Sequence, residues 1–118
     1  MKPFDLQQRS LLFAQDVRSF ARLLPRSVAN MQDIRQLIRS SGSIGANYIE
    51  ASDSLGKRDS IHKLRISRRE AKESMYWLSL VDTGGRNELS SQRTQLVNEA
   101  RELLCILSSM IRKCTGSP

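Results

Sequence analysis

Histidine occurs once in this chain, at His62, so no site that needs two imidazoles can form within it. Asp59-x-x-His62 has the spacing of half a di-iron bundle site. Such a site needs a second pair of this kind and inward carboxylates from the other helices, and these are missing. Cysteine occurs twice. Cys105 and Cys114 lie nine apart on one predicted helix and point to opposite faces, which excludes a bridge between them. Cys105 sits opposite its helix's apolar stripe, beside Asn98 and Arg112, with no placed base, so it lacks what a catalytic thiol requires. Prolines number three and the apolar share is 39%, a combination that excludes broad disorder. Apolar runs extend only a few residues, far short of the roughly 20 a membrane span needs. Met1–Asp5 leads straight into an amphipathic pattern rather than an apolar signal core. The expectation is a cytoplasmic protein with free thiols and no contact with membrane. Glycine-rich phosphate loops are absent too: Gly42-x-x-Gly45 falls inside a helix, and Gly84-Gly85 lacks the following Lys-Ser/Thr. No enzymatic activity, metal or cofactor is expected.

What the chain has in excess is positive charge. Nineteen lysines and arginines, fourteen of them arginine, face twelve acids, for a net charge of +7. That balance favours anionic partners: RNA, DNA or an acidic protein. A length of 118 residues fits one domain spanning 1–118.

The stretch Ile34–Glu50 organises the rest. Ile34, Leu37, Ile38, Ile44 and Tyr48 recur at helical spacing, and Ser40, Ser41, Gly42, Ser43, Gly45 and Ala46 are threaded among them. Glycine inside a helix costs up to about 1 kcal/mol against alanine. The pattern therefore predicts a central helix whose small residues let a neighbouring backbone come close. Around it the spacing predicts helices over about 5–24, 27–53, 57–82 and 90–113. Pro3 and Asp5 open the first, Pro25 closes it, Ser27 caps the second and Gly56 the third. The first helix carries Leu6, Phe13, Val17, Phe20 and Leu24 on one stripe. The third carries Ile61, Leu64, Ala71, Met75 and Leu78, and the fourth Leu96, Ala100, Leu103, Leu104, Leu107 and Ile111. Gly84-Gly85 suits a left-handed helix end, and Thr115–Pro118 a frayed tail. With no strand pattern and no internal repeat, the fold class is all-α: an up-and-down antiparallel four-helix bundle. Its second and third helices would each be roughly 37 Å long.

The paired motifs RSSGSIGANYIEA, ending at Ala51, and KLRISRREAKESMYWL, from Lys63 to Leu78, closely resemble the bacterial four-helix-bundle family of the S23 type. Members of that family are encoded in intervening sequences of 23S ribosomal RNA genes, and it is related to the accessory proteins of diversity-generating retroelements. The resemblance runs from about Leu6 to Arg112. It implies a four-helix bundle, a homo-oligomer (a pentamer) and no known enzymatic activity. In the retroelement relatives it implies contact with RNA and reverse transcriptase. Ser67-Arg68 and Gly56 depart from the family's common residues without disturbing the fold.

Two faces of the third helix are candidate sites. Arg58, His62, Arg65, Arg69 and Lys72 recur every three or four residues and make one basic stripe ending at Tyr76. Like charges so spaced repel by about 0.2–0.5 kcal/mol per pair. One reading supplies nucleic-acid phosphate as the counter-charge, with Tyr76 available for stacking. The other is internal: antiparallel packing would bring Glu50 near His62 and Arg65, and Arg39 near Lys72 and Glu73. A second face, Ile66, Glu70, Glu73 and Trp77, is expected away from the core as an intersubunit contact; the alternative is a broad core face that wraps Trp77 at the bundle's end. The function expected is a non-enzymatic, oligomeric bundle binding RNA or DNA through its basic surface. The alternative is a protein-interaction scaffold docking an acidic partner.

Overall fold

Asp5 and Ser27 each accept a hydrogen bond from the backbone N–H three residues on (3.3 and 3.1 Å), and so start the first two helices. The structure, a computed structural model, describes residues 5–116; Pro3 and the tail residues Ser117 and Pro118 lie outside them. Helix α1 spans Leu6–Arg22, α2 Val28–Asp53, α3 Lys57–Leu80 and α4 Asn87–Thr115. The boundaries differ from the periodicity by a few residues, for local reasons. Pro25 turns α1 early through tightened bonds from Leu23 N–H to Phe20 O and Leu24 N–H to Ala21 O, and Leu24 still enters the core. Val81 leaves α3 in an extended conformation because its side chain is buried. The paired glycines therefore sit past the helix end, in a turn that Asp82 Oδ1 closes by accepting from Gly84 N–H at 2.8 Å. Gly84 is required there: its φ is +69°, and a Cβ would lie 2.9 Å from Pro25 Cγ. The expected frayed tail is partly ordered, since Thr115 ends α4 and Gly116 caps it at φ +70°.

The four helices form an up-and-down bundle, 45 × 28 × 25 Å, in which α1 packs on α2 and α4, and α3 on α2 and α4. The α2–α3 register can be followed bond by bond. Asn30 meets Asp82, Ser40 meets Ser74, the Ile44 carbonyl meets Ser67, and the Ala51 carbonyl meets Ser60, the two helices running opposite ways. Phe13, Val17 and Phe20 of α1, Leu37 and Ile44 of α2, Leu78 of α3 and Leu103 and Leu107 of α4 fill the interior. Small residues set how close the helices come. Ser67 Oγ donates to the Ile44 carbonyl at 2.7 Å, and Ser40 and Ser74 share a hydroxyl bond at 2.9 Å, all four residues buried. Each buried hydroxyl is stabilised because it finds an acceptor in reach. On the other side of α2, a Cβ at Gly45 would meet Ser10 Cβ of α1 at 3.2 Å.

Asn30 locks one end of the bundle. Its amide donates to the Pro25 and Asp82 carbonyls (2.9 and 2.8 Å), and its oxygen accepts from Asp82 N–H at 2.9 Å. One buried side chain thus ties both loops at that end to α2.

Candidate nucleic-acid interface

Helix α3 presents its stripe outward over nearly its whole length. Arg58, His62, Arg65, Arg69, Lys72 and Tyr76 are all exposed. Positions three and four apart on a helix stay within a narrow arc, so the stripe is straight, and Arg58 to Tyr76 covers roughly 27 Å.

Glu50, Glu70 and Glu73 are engaged elsewhere, while Asp59, in the first turn of α3, is exposed beside Arg58, His62 and Arg65. Glu73 Oε1 lies 2.8 Å from Arg39 Nη2 of α2, and Glu70 Oε2 lies 3.2 Å from Arg39 Nη1. The Glu70 hydrogen bond is the chief cause raising the Arg39 pKa above its usual value. Glu50 does not reach His62 or Arg65; it pairs with Lys63 at 2.8 Å. The register explains this. Ser60 Oγ donates to the Ala51 carbonyl at 3.0 Å, and Lys63, one turn on from Ser60, lies on the same flank. Among the described residues, Arg58, His62, Arg65, Arg69 and Lys72 have no carboxylate within ion-pair distance.

The second face is placed differently from the sequence reading. Glu70 is 6% exposed and turned toward α2, Ile66 is half-buried, and Trp77 packs half-buried against the core cluster. Ser67 and Ser74 are the cause: with so little bulk there, α3 settles close to α2, and its buried arc widens to take in the flank carrying Glu70 and Trp77. Glu70 Oε1 and Trp77 Nε1 are buried without a hydrogen-bond partner.

Tyr76, by contrast, is 59% exposed, and its ring meets Trp77 edge to face at 5.0 Å and 77°. An exposed ring is thereby braced by one packed against the core. One turn beyond Tyr76, a hollow of about 350 Å³ opens between α3 and α4, lined by Ser79, Arg93, Thr94, Asn98 and Arg101 among others. Arg93 Nη1 donates to the Val81 carbonyl (2.7 Å) and serves the α3 terminus, while Arg101 Nη1 donates to Asn98 Oδ1 (2.8 Å). Sequence reasoning passed over Asn98 and Arg101 as site residues, although their spacing of three on an exposed α4 face was a readable signal. A second hollow, about 400 Å³, lies at the other end of the stripe, beside Arg58, His62 and Arg65.

Elsewhere, a groove of about 540 Å³ separates α1 from α4. Leu12 and Leu23 border it, both about half exposed, and Phe20 lies within. Arg9 spans one end, 2.7 Å from both Glu99 and Glu102, and hydrogen bonds to these two carboxylates raise its pKa above the usual arginine value. Cys105 is exposed and Cys114 half-buried, both as free thiols. No helix among the described residues is long and apolar enough to cross a membrane. Nor do His, Cys, Asp and Glu cluster there in threes that could hold a metal ion.

No curated protein matches this chain. Among solved structures, it is similar to a protein of unknown function from the S23 ribosomal protein family of Bacteroides thetaiotaomicron, determined at 1.70 Å. The two are 31% identical, with a TM-score of 0.79 over 92% of this chain and 99% of that one. A bundle of this topology, carrying the paired α2 and α3 motifs, also matches the model of the 23S rRNA-intervening sequence proteins over residues 2–109. The chain belongs to the 23S rRNA-intervening sequence protein family.

Proposed function

We propose that this protein binds nucleic acid through the exposed stripe of α3, as a non-enzymatic bundle that works in the cytoplasm as a homo-oligomer. The observation that carries the reading is an imbalance of partners. Glu70 and Glu73 of α3 both turn to Arg39, and Glu50 turns to Lys63, so among the described residues the cations of the stripe face solvent with no carboxylate at ion-pair distance, Asp59 standing near one end only. A line of four permanent cations with no internal partner is what phosphate contacts require, and the net charge of +7 adds long-range attraction. Homo-oligomer formation, as a pentamer, rests on the family resemblance.

Retention on random-sequence RNA across a salt series tests the reading. Phosphate binding is strong at low salt and weakens steeply as salt rises. A protein that is not retained even at low salt overturns the proposal. It would leave the second reading, a scaffold for a protein partner, which the half-exposed leucines along the α1–α4 groove support.

A further inference from the structure

Three features of the α3 surface bear on which form of nucleic acid fits it. The first is its width. Arg58, His62, Arg65, Arg69 and Lys72 stand in file with Arg68 half-exposed on the α4 side, and the flank toward α2 is taken up by the Arg39–Glu73 and Lys63–Glu50 pairs, which cancel each other's charge. A duplex offers two phosphate lines on either side of a groove. A single positive band, bounded by a neutral flank on the α2 side, matches one strand better than two.

The second is Tyr76. Its ring is exposed, lies at the end of the line, and is held by Trp77, whose own ring packs against the core. A ring held in place loses less freedom when a base stacks on it. Inside a duplex both faces of each base are stacked on neighbours, so along a strand it is the unpaired base that has a face to offer Tyr76, a duplex offering one only at its ends.

The third is the hollow one turn further on. It is an open surface depression, and Asn98, Arg101, Thr94 and Ser79 supply polar groups around it. With Asn98 Oδ1 already accepting from Arg101, the amide N–H groups of Asn98 are left to face a base carbonyl.

Together these lead to a narrower assignment, which rests on the nucleic-acid reading above. We propose that the α3 track selects single-stranded nucleic acid, its phosphates running along Arg58–Lys72 and one unpaired base stacked on Tyr76 beside the Asn98–Arg101 hollow. Tyr76 and the hollow make the selection, and the cations supply the affinity.

The test compares a fluorescent oligouridylate with a blunt RNA duplex of equal length, by anisotropy over a salt series. The single strand should bind at least several-fold more tightly. Four phosphate contacts give it a log–log salt slope near 3, at about 0.7 per contact for single strands. Tyr76→Ala should weaken the single strand by roughly five- to a hundredfold, the range for one lost base stack, and leave duplex affinity unchanged. Tyr76→Phe, which keeps the ring, should restore it. Equal affinity for strand and duplex, or an unaltered single strand in Tyr76→Ala, overturns the selection while leaving the basic track in place. No binding of either probe at low salt overturns the nucleic-acid reading itself.

Discussion

Gly45 of α2 faces Ser10 of α1 so closely that a Cβ at position 45 would stand 3.2 Å from the Ser10 Cβ. Gly42, one turn earlier, would place its Cβ 3.7 Å from the tip of Arg18, an ordinary contact with a flexible end. The two glycines of the same helix therefore answer differently to substitution. Gly45→Leu should destabilise the bundle by about 1–3 kcal/mol through overpacking, which lowers Tm by roughly 4–12 °C at this chain length. Gly42→Ala should raise Tm by about 2–4 °C, since helix propensity favours alanine and nothing opposes it. Thermal melts of both variants check this, and a wild-type melt for Gly45→Leu would mean the α1–α2 seam is not tight.

Among the described residues, Arg39 is the only cation paired with Glu70, and Glu70 Oε1 has no hydrogen-bond partner. Arg39→Ala should cost about 1–3 kcal/mol, because it strands a buried carboxylate. The lower end is expected, since the Arg39 side chain is 47% exposed and water can enter behind it. Adding Glu70→Gln should recover part of that loss by removing the stranded charge. If Arg39→Ala melts like wild type, Glu70 is solvated and the pairing carries no weight.

How far the sequence alone reached follows from which constraints were local. Asp5, Ser27 and the apolar stripes were legible because caps and helical periodicity act within a few residues. The direction of the basic stripe was legible for the same reason. Its freedom from carboxylates was not, because neighbouring helix positions differ by about 100° and the choice of Lys63 over His62 turns on a one-residue register. The burial of Asn30, Ser67 and Ser74 was also out of reach. Asn30 and Ser67 are satisfied inside by another helix or loop that brings backbone groups to them, while Ser74 is satisfied by its own helix's Glu70 carbonyl and meets Ser40 across the seam. Glu70 and Trp77 followed from that close approach: Glu70 is buried where exposure was expected, and Trp77 fits the broad core face.

Trp77 packs half-buried against the core of its own protomer. Trp77→Ala should remove apolar contact with the core and lower stability by about 1–3 kcal/mol, below the cost of a fully buried tryptophan because the ring is half-buried. Light scattering on the same samples reads assembly. The wild type should run as a homo-oligomer at micromolar concentration, and the variant should keep that mass while melting earlier. A monomeric wild type removes the assembly from the proposal. A variant that dissociates without a lower melting point returns Trp77 to a subunit contact.

Reversal of Arg65 and Arg69 to glutamate separates the two readings of the stripe. Both side chains are exposed and neither has a carboxylate partner, so the fold loses no ion pair when they change. The new acids at positions 65 and 69 repel each other, and position 69 repels Glu73, by about 0.2–0.5 kcal/mol per pair. Tm should therefore shift by only a few degrees. RNA retention should be abolished, and any residual binding should show a salt slope smaller by roughly 1.5, since two phosphate contacts are gone. If the stripe were paired internally with Glu50 and Glu73, the same variant would set acid against acid and melt far earlier, and adding Glu50→Arg and Glu73→Arg would restore it. In this structure the addition should do the reverse, because it breaks the Lys63–Glu50 and Arg39–Glu73 pairs. Melting and retention measured on one set of samples decide the matter. A large loss of stability with RNA retention intact would make the stripe a structural element and remove the main support for nucleic-acid binding.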